Sequence, residues 1–162
     1  MARTIRPTLV AKGIDGPASA RIRATGPQRH LLLVRIVAGA PLLGIGLAHA
    51  LVPEAPMGPL VEAAGIPLAE LVSPAGVAVE IVAGLSLLLG LWARVGGLLA
   101  IPTMLGAIYA HLVIDVWPNG PESEPPVALP IAVLLCAAYV AWRGPGPCSF
   151  DRRSARRHGS AG

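Results

Sequence analysis

The amino-acid sequence predicts an all-α membrane protein, a bundle of four transmembrane helices with a short interfacial helical segment in the first outer loop. Hydrophobic residues make up 54% of the chain and charged residues only 14%, with a mean hydropathy of +0.64. A typical soluble domain has about 25% charged residues. The apolar residues fall into blocks separated by the charged residues. The formal net charge of +4 comes from arginines that flank these blocks, which argues against nucleic-acid binding.

Two basic segments are expected to flank a membrane domain at residues 31–143. Residues 1–30 are basic and rich in Gly, Pro and Ala, without apolar periodicity, and predict a disordered cytoplasmic tail. An arm that binds anionic lipids is the alternative. Residues 144–162 predict a basic C-terminal tail, also cytoplasmic.

The first apolar block, residues 31–52, is long enough for a transmembrane helix, since about 20 residues cross the hydrocarbon. The tripeptide Ala48-His49-Ala50 is typical of a signal-peptide cleavage site. The apolar region of a signal peptide, however, runs only about 7–15 residues, and this block is longer and contains Arg35. We therefore predict a retained, uncleaved helix.

Three further spans are predicted at residues 74–93, at residues 95–116 after a turn around Arg94, and at residues 126–142. The apolar block of the last span, residues 127–142, is short, because 16 residues in a helix reach only about 24 Å. The segment 53–73 combines glutamates with apolar residues at roughly helical spacing, which indicates short amphipathic helices at the interface. An ordinary structured loop is the alternative.

The distribution of basic residues predicts the orientation. No Lys or Arg lies between Arg35 and Arg94, or between Arg94 and Arg143, and both of the outer loops carry glutamates. The positive-inside rule then places both termini and the Arg94 turn in the cytoplasm. The predicted location is the cytoplasmic (inner) membrane, crossed four times.

Five polar residues from three predicted helices would share the outer half of the membrane: His49, Glu80, Tyr109, His111 and Asp115. An ionised group at the centre of a membrane helix costs about 2.5–3.5 kcal/mol on insertion scales, so Glu80 needs a partner, a proton or water. Such residues usually face the bundle interior and mark functional sites. These side chains could pass protons or bind the polar head of a quinone-like ligand. Structural pairing between them is the alternative.

The remaining polar residues and motifs argue against several kinds of functional site. We interpret Arg35 and Arg94 as structural residues, with Arg35 reaching to the lipid headgroups at the inner surface. Cys136 and Cys148 form no CxxC motif, so a thiol–disulfide relay is not expected. No residues at tight ligand spacing support a metal site, and no nucleotide-binding or hydrolase motif occurs.

Several short stretches of the sequence occur in a specific order. The first predicted helix carries Arg35, Gly39 and the sequence Gly46-Leu47-Ala48-His49. The other stretches run from Glu80 to Gly84 and from Gly90 to Arg94, followed by His111 and the tail from Gly144 to Asp151. In these stretches the chain resembles the DoxX family, a bacterial group of small four-helix membrane proteins, with His49 where the family is expected to have a lysine.

The resemblance implies a role near oxidoreductases. Members of the family are similar to the quinone-linked membrane subunit of thiosulfate oxidoreduction, and others are membrane partners of soluble oxidoreductases. It therefore implies a quinone-associated or partner subunit with a polar intramembrane site around Glu80. A small-solute or proton pathway and a membrane anchor without its own chemistry are the alternatives. No catalytic residue can be assigned, and the cofactor (a quinone is one candidate), the oxidoreductase partner and a homo-oligomeric state stay open.

Overall fold

A computed structural model describes residues 29–52, 57–114, 126–146 and 148–151. This part of the chain is helical and contains no strand, which confirms the all-α class. The five helices, in chain order, are α1 (Leu31–Leu51), α2 (Met57–Ala63), α3 (Ala69–Leu89), α4 (Ala93–Val113) and α5 (Ala128–Arg143).

Helices α1, α3, α4 and α5 form the predicted four-helix bundle. By length and composition, α1, α3 and α4 are each able to cross a membrane, and α5 is a shorter apolar helix. Helix α1 packs against α3 and α5, and α4 also packs against both, which closes the bundle. Large apolar side chains such as Leu33, Val82, Leu112 and Leu135 point outwards and are more than half exposed. A lipid environment accommodates such a surface, and together with the apolar helices it indicates a multi-pass membrane protein.

Small residues let α1 and α3 approach closely. A Cβ atom on Gly84 would lie 2.7 Å from the backbone nitrogen of Leu43, and one on Gly46 would lie 2.9 Å from Cβ of Glu80. Gly39 meets α3 in the same way, whereas Gly44 faces open space. Because apolar burial drives no helix association inside lipid, such close packing is a main source of stability. It also fixes the position of Glu80 on α3.

The turn between α3 and α4 lies at residues 90–92, a few residues before its predicted position around Arg94. Gly90 ends α3 with a φ of +66°, a conformation that glycine adopts without strain. The hydroxyl of Ser86 donates to the carbonyls of Leu91 at 2.6 Å and Trp92 at 3.2 Å, which tightens the turn. Arg94 consequently lies in the first turn of α4.

Other boundaries also differ from the sequence analysis. Helix α3 begins at Ala69 and continues through Pro74, so it takes in part of the segment expected to lie at the interface. The rest of that segment supplies α2, the one short helix of the loop that the structure describes. The expected N-terminal tail lies outside the described residues except for Arg29 and His30.

Candidate functional site

A cavity of about 580 Å³ lies inside the bundle at the end where α2 packs. All five helices contribute to its wall, and the lining side chains are predominantly apolar. Known ligand sites occupy about 300–1,000 Å³, with mostly apolar walls and a few polar groups that orient the ligand. Three of the residues singled out in the sequence line this cavity: Glu80, His49 and His111.

Glu80 is buried in the cavity wall. Its side chain is only 3% exposed, and its Oε2 atom has no hydrogen-bond partner among the residues that the structure describes. A buried polar atom without a partner costs about 1–3 kcal/mol. The close contact with Gly46 holds the start of the Glu80 side chain against α1. The protein therefore places an unsatisfied carboxyl oxygen at a fixed point beside an apolar cavity.

The two histidines come from the last turns of α1 and α4, and both are half-buried. The Nδ1 atom of His111 lies 2.7 Å from the carbonyl oxygen of Ala107, one helical turn earlier. Because a carbonyl can only accept, Nδ1 carries the proton, and in a neutral ring Nε2 is then an acceptor. His49 lines the same cavity from α1. The structure thus brings imidazoles from two helices and a carboxyl from a third to one cavity.

Two other predicted site residues are not brought to the cavity by the described structure. Tyr109 lies on α4 but is 48% exposed and does not line the cavity. Asp115 lies outside the described residues. Pairing of Glu80 with a histidine was the structural alternative, and no such bond to Oε2 is present in the part of the protein that the structure describes.

The opposite end of the bundle contains a polar cluster centred on Arg35. Arg35 is 1% exposed, so its expected reach to lipid headgroups is wrong. Its Nε and Nη2 atoms each donate, at 2.7 Å, to the carbonyls of Leu87 and Leu88 at the end of α3. Its Nη1 atom donates to the carbonyls of Pro145 at 3.0 Å and Cys148 at 2.8 Å. Arg35 does not reach the headgroups because these four carbonyls accept the hydrogen bonds of its guanidinium inside the protein.

The same cluster includes the first residues of the expected C-terminal tail. Asp151, 1% exposed, accepts hydrogen bonds from the backbone N–H groups of Trp92 at 2.9 Å and Ala93 at 3.2 Å. A carboxylate at this place caps the N-terminus of α4 and complements its dipole. The described residues between 144 and 151 are therefore built into the bundle, while residues 152–162 lie outside the described part.

Sequence reasoning missed these roles, although a signal for them existed. A single arginine in an otherwise apolar helix needs acceptors nearby, and the tail after Gly144 offers carbonyls and an aspartate. Arg94, treated as structural in the sequence, donates to the carbonyls of Ala141 at 2.7 Å and Trp142 at 2.6 Å and so joins α4 to α5. Within the described residues, no group of three or more His, Cys, Asp or Glu side chains is placed to hold a metal ion.

Comparisons of the sequence with known proteins identify a family and a relative. The DoxX family model matches residues 30–112. The uncharacterized membrane protein Rv3486 of Mycobacterium tuberculosis is 31% identical over 149 residues, which covers 87% of this chain and 90% of that protein. No solved structure was found to match the chain.

Proposed function

The chain belongs to the DoxX family, and we propose that its Glu80 cavity binds the head of a quinone-type ligand for an oxidoreductase system. The observation that supports this function is the buried Oε2 atom of Glu80, which lacks a partner among the described residues and borders an apolar cavity. A bound hydroxyl or carbonyl group would satisfy that atom without disturbing the rest of the bundle.

The cavity suits a quinone in size and in chemistry. A volume of about 580 Å³ is enough for a ring with part of its apolar tail, and the walls are apolar. Ionised Glu80 would accept a hydrogen bond from a quinol hydroxyl, and protonated Glu80 would donate one to a quinone carbonyl. The ligand itself would supply the electron-transfer chemistry, while Glu80, His49 and His111 would orient its polar head and take up or release protons.

The proposal includes a location and a partner. The arginines at the Arg35 end and the acidic loops at the other end support a cytoplasmic placement of both termini in the inner membrane. The cavity would then lie in the outer half of the membrane. The protein would serve as the membrane subunit of an oxidoreductase, alone or as a homo-oligomer.

Equilibrium binding of decylubiquinol, whose hydroxyl groups can donate to ionised Glu80, to the full chain in lipid nanodiscs under reducing conditions tests the function. Glu80→Gln keeps the size of the side chain but removes the charge, so we expect affinity to fall about tenfold to a hundredfold, the equivalent of 1.5–3 kcal/mol for a charged hydrogen bond. Glu70→Gln is the matched control, because Glu70 lies on the same helix but is exposed. The proposal is wrong if the wild-type protein shows no saturable binding, or if Glu80→Gln binds as tightly as wild type.

Two further measurements separate the other function classes. A proton flux in proteoliposomes that disappears in Glu80→Gln, without quinone binding, would favour a proton pathway. Assembly with a redox partner that is unchanged in Glu80→Leu, again without quinone binding, would favour a structural anchor.

A further inference from the structure

We propose that α2 is a movable lid that opens and closes the Glu80 cavity, an inference that rests on the proposed ligand site. Helix α2 and the turn after it supply one wall of the cavity through Met57, Leu60, Val61 and Ile66. The other walls come from four helices that pack tightly against one another. The wall formed by α2 is therefore the one that can move without breaking the bundle.

The contacts of α2 indicate that it is held less firmly than the four helices of the bundle. Helix α2 packs against α3 and, over a smaller area, against α4. Across the described residues, no side-chain hydrogen bond joins α2 to another helix, whereas Arg35, Arg94 and Asp151 tie the other end of the bundle together. Elements held by few apolar contacts open at lower free-energy cost than the core of a protein. The α2 end is thus the labile end.

The turn between α2 and α3 has the features of a hinge. Gly65 has a φ of +67°, and Leu68, which is not a glycine, has a φ of +58°. Trp92, at the Arg35 end, also has a positive φ of +52°, but its backbone N–H is held by the carboxylate of Asp151. Leu68 is also 74% exposed, so packing does not explain its conformation. A left-handed residue other than glycine costs about 1–2 kcal/mol, and such strain is frequently found beside functional sites. Relief of this strain would lower the cost of moving α2.

The contact that closes the lid lies between Met57 and Gly76. A Cβ atom on Gly76 would lie 2.8 Å from the sulfur of Met57, so the absence of a side chain at Gly76 lets α2 rest on α3. A larger residue at this position would force the Met57 side chain out of this contact. Gly58, on α2 itself, has no atom within 4 Å of a built Cβ and therefore provides a neutral position for comparison.

The first test measures opening without any ligand. Thr103 lines the cavity, so the rate at which Thr103→Cys reacts with a water-soluble maleimide reports access to the interior. The native Cys136 and Cys148 are replaced by alanine. We expect Gly76→Val to raise this rate about tenfold, as for a lid that spends more time open, and Gly58→Ala to leave it unchanged. Equal rates in all three backgrounds would overturn the lid.

The second test closes the lid. In the same alanine background, without Thr103→Cys, Met57→Cys with Gly76→Cys should form a disulfide on mild oxidation and slow the exchange of bound decylubiquinone about tenfold, and a reductant should restore it. A pair that does not oxidise, or that oxidises without slowing exchange, contradicts the lid while leaving quinone binding intact. If quinone does not bind at all, the proposed function fails, but the maleimide rates still decide whether α2 opens.

Discussion

Replacement of Arg35 by methionine should destabilise the protein strongly. The substitution keeps most of the apolar stem but removes four hydrogen bonds from a guanidinium that is 1% exposed. A hydrogen bond to a charged group contributes about 1.5–3 kcal/mol, but the four are not additive, because the arginine also bears the cost of leaving water. Without the guanidinium, the four carbonyl oxygens lose this donor, at a cost of about 1–3 kcal/mol for each one that stays unsatisfied. Because some of them can find water at the end of the bundle, we expect a total loss of about 3–5 kcal/mol.

Thermal unfolding in detergent, followed by the reactivity of the half-buried Cys136 after the exposed Cys148 has been replaced by alanine, measures the effect. For a chain of this length, about 3–5 kcal/mol corresponds to a fall in Tm of roughly 6–20 °C. Arg35→Lys should be only a partial rescue, because an ammonium is a single point and cannot span carbonyls of both α3 and the C-terminal segment. Arg143→Met is the control, since Arg143 is exposed at the same end, and it should shift Tm little. A Tm for Arg35→Met within a degree or two of wild type would refute this account of the cluster.

Three other outcomes are expected. Asp151→Ala should lower stability by about 1–2 kcal/mol, as for the loss of a helix cap, and chemical denaturation should show it. Gly84→Leu should cost at least about 3 kcal/mol or prevent folding, because the new side chain meets backbone rather than a movable side chain, and the yield of folded protein checks this. Membrane-impermeant maleimide should label Glu62→Cys from outside intact cells and native Cys148 only after the membrane is opened. The reverse pattern would invert the proposed topology.

Much of the fold could be predicted because membrane insertion depends on composition and length. The blocks of apolar residues located the four helices of the bundle, because inside lipid an apolar segment must satisfy its own backbone hydrogen bonds, as a helix does. The ends of the helices could not be placed in this way. Gly90 ends α3 through backbone geometry, and Asp151 caps α4 from a distant part of the chain. Such contacts leave no periodic pattern in the sequence.

The candidate site was predictable only in part. Glu80 stood out because one carboxylate in an apolar run is energetically costly, and His49 and His111 followed from their similar depth. Depth alone does not say which face of a helix points inwards, and Tyr109 therefore appeared equivalent to His111 although it is 48% exposed. The misinterpretation of Arg35 has the same origin, because its acceptors lie on α3 and on a tail that sequence spacing could not bring together.

The two ends of α3 differ in a way that would let one small bundle combine stability with the proposed ligand site. At its C-terminal end, the carbonyls of Leu87 and Leu88 are held by Arg35, and Asp151 fixes the start of the next helix. Towards its N-terminal end, Glu80 keeps an unsatisfied oxygen beside the cavity, and the chain before α3 carries the strained Leu68. Stability gained at one end offsets the cost of an unpaired carboxyl and a strained turn at the other. A protein that carries stabilising substitutions at the Arg35 end should therefore tolerate substitutions of Glu80 without loss of the fold.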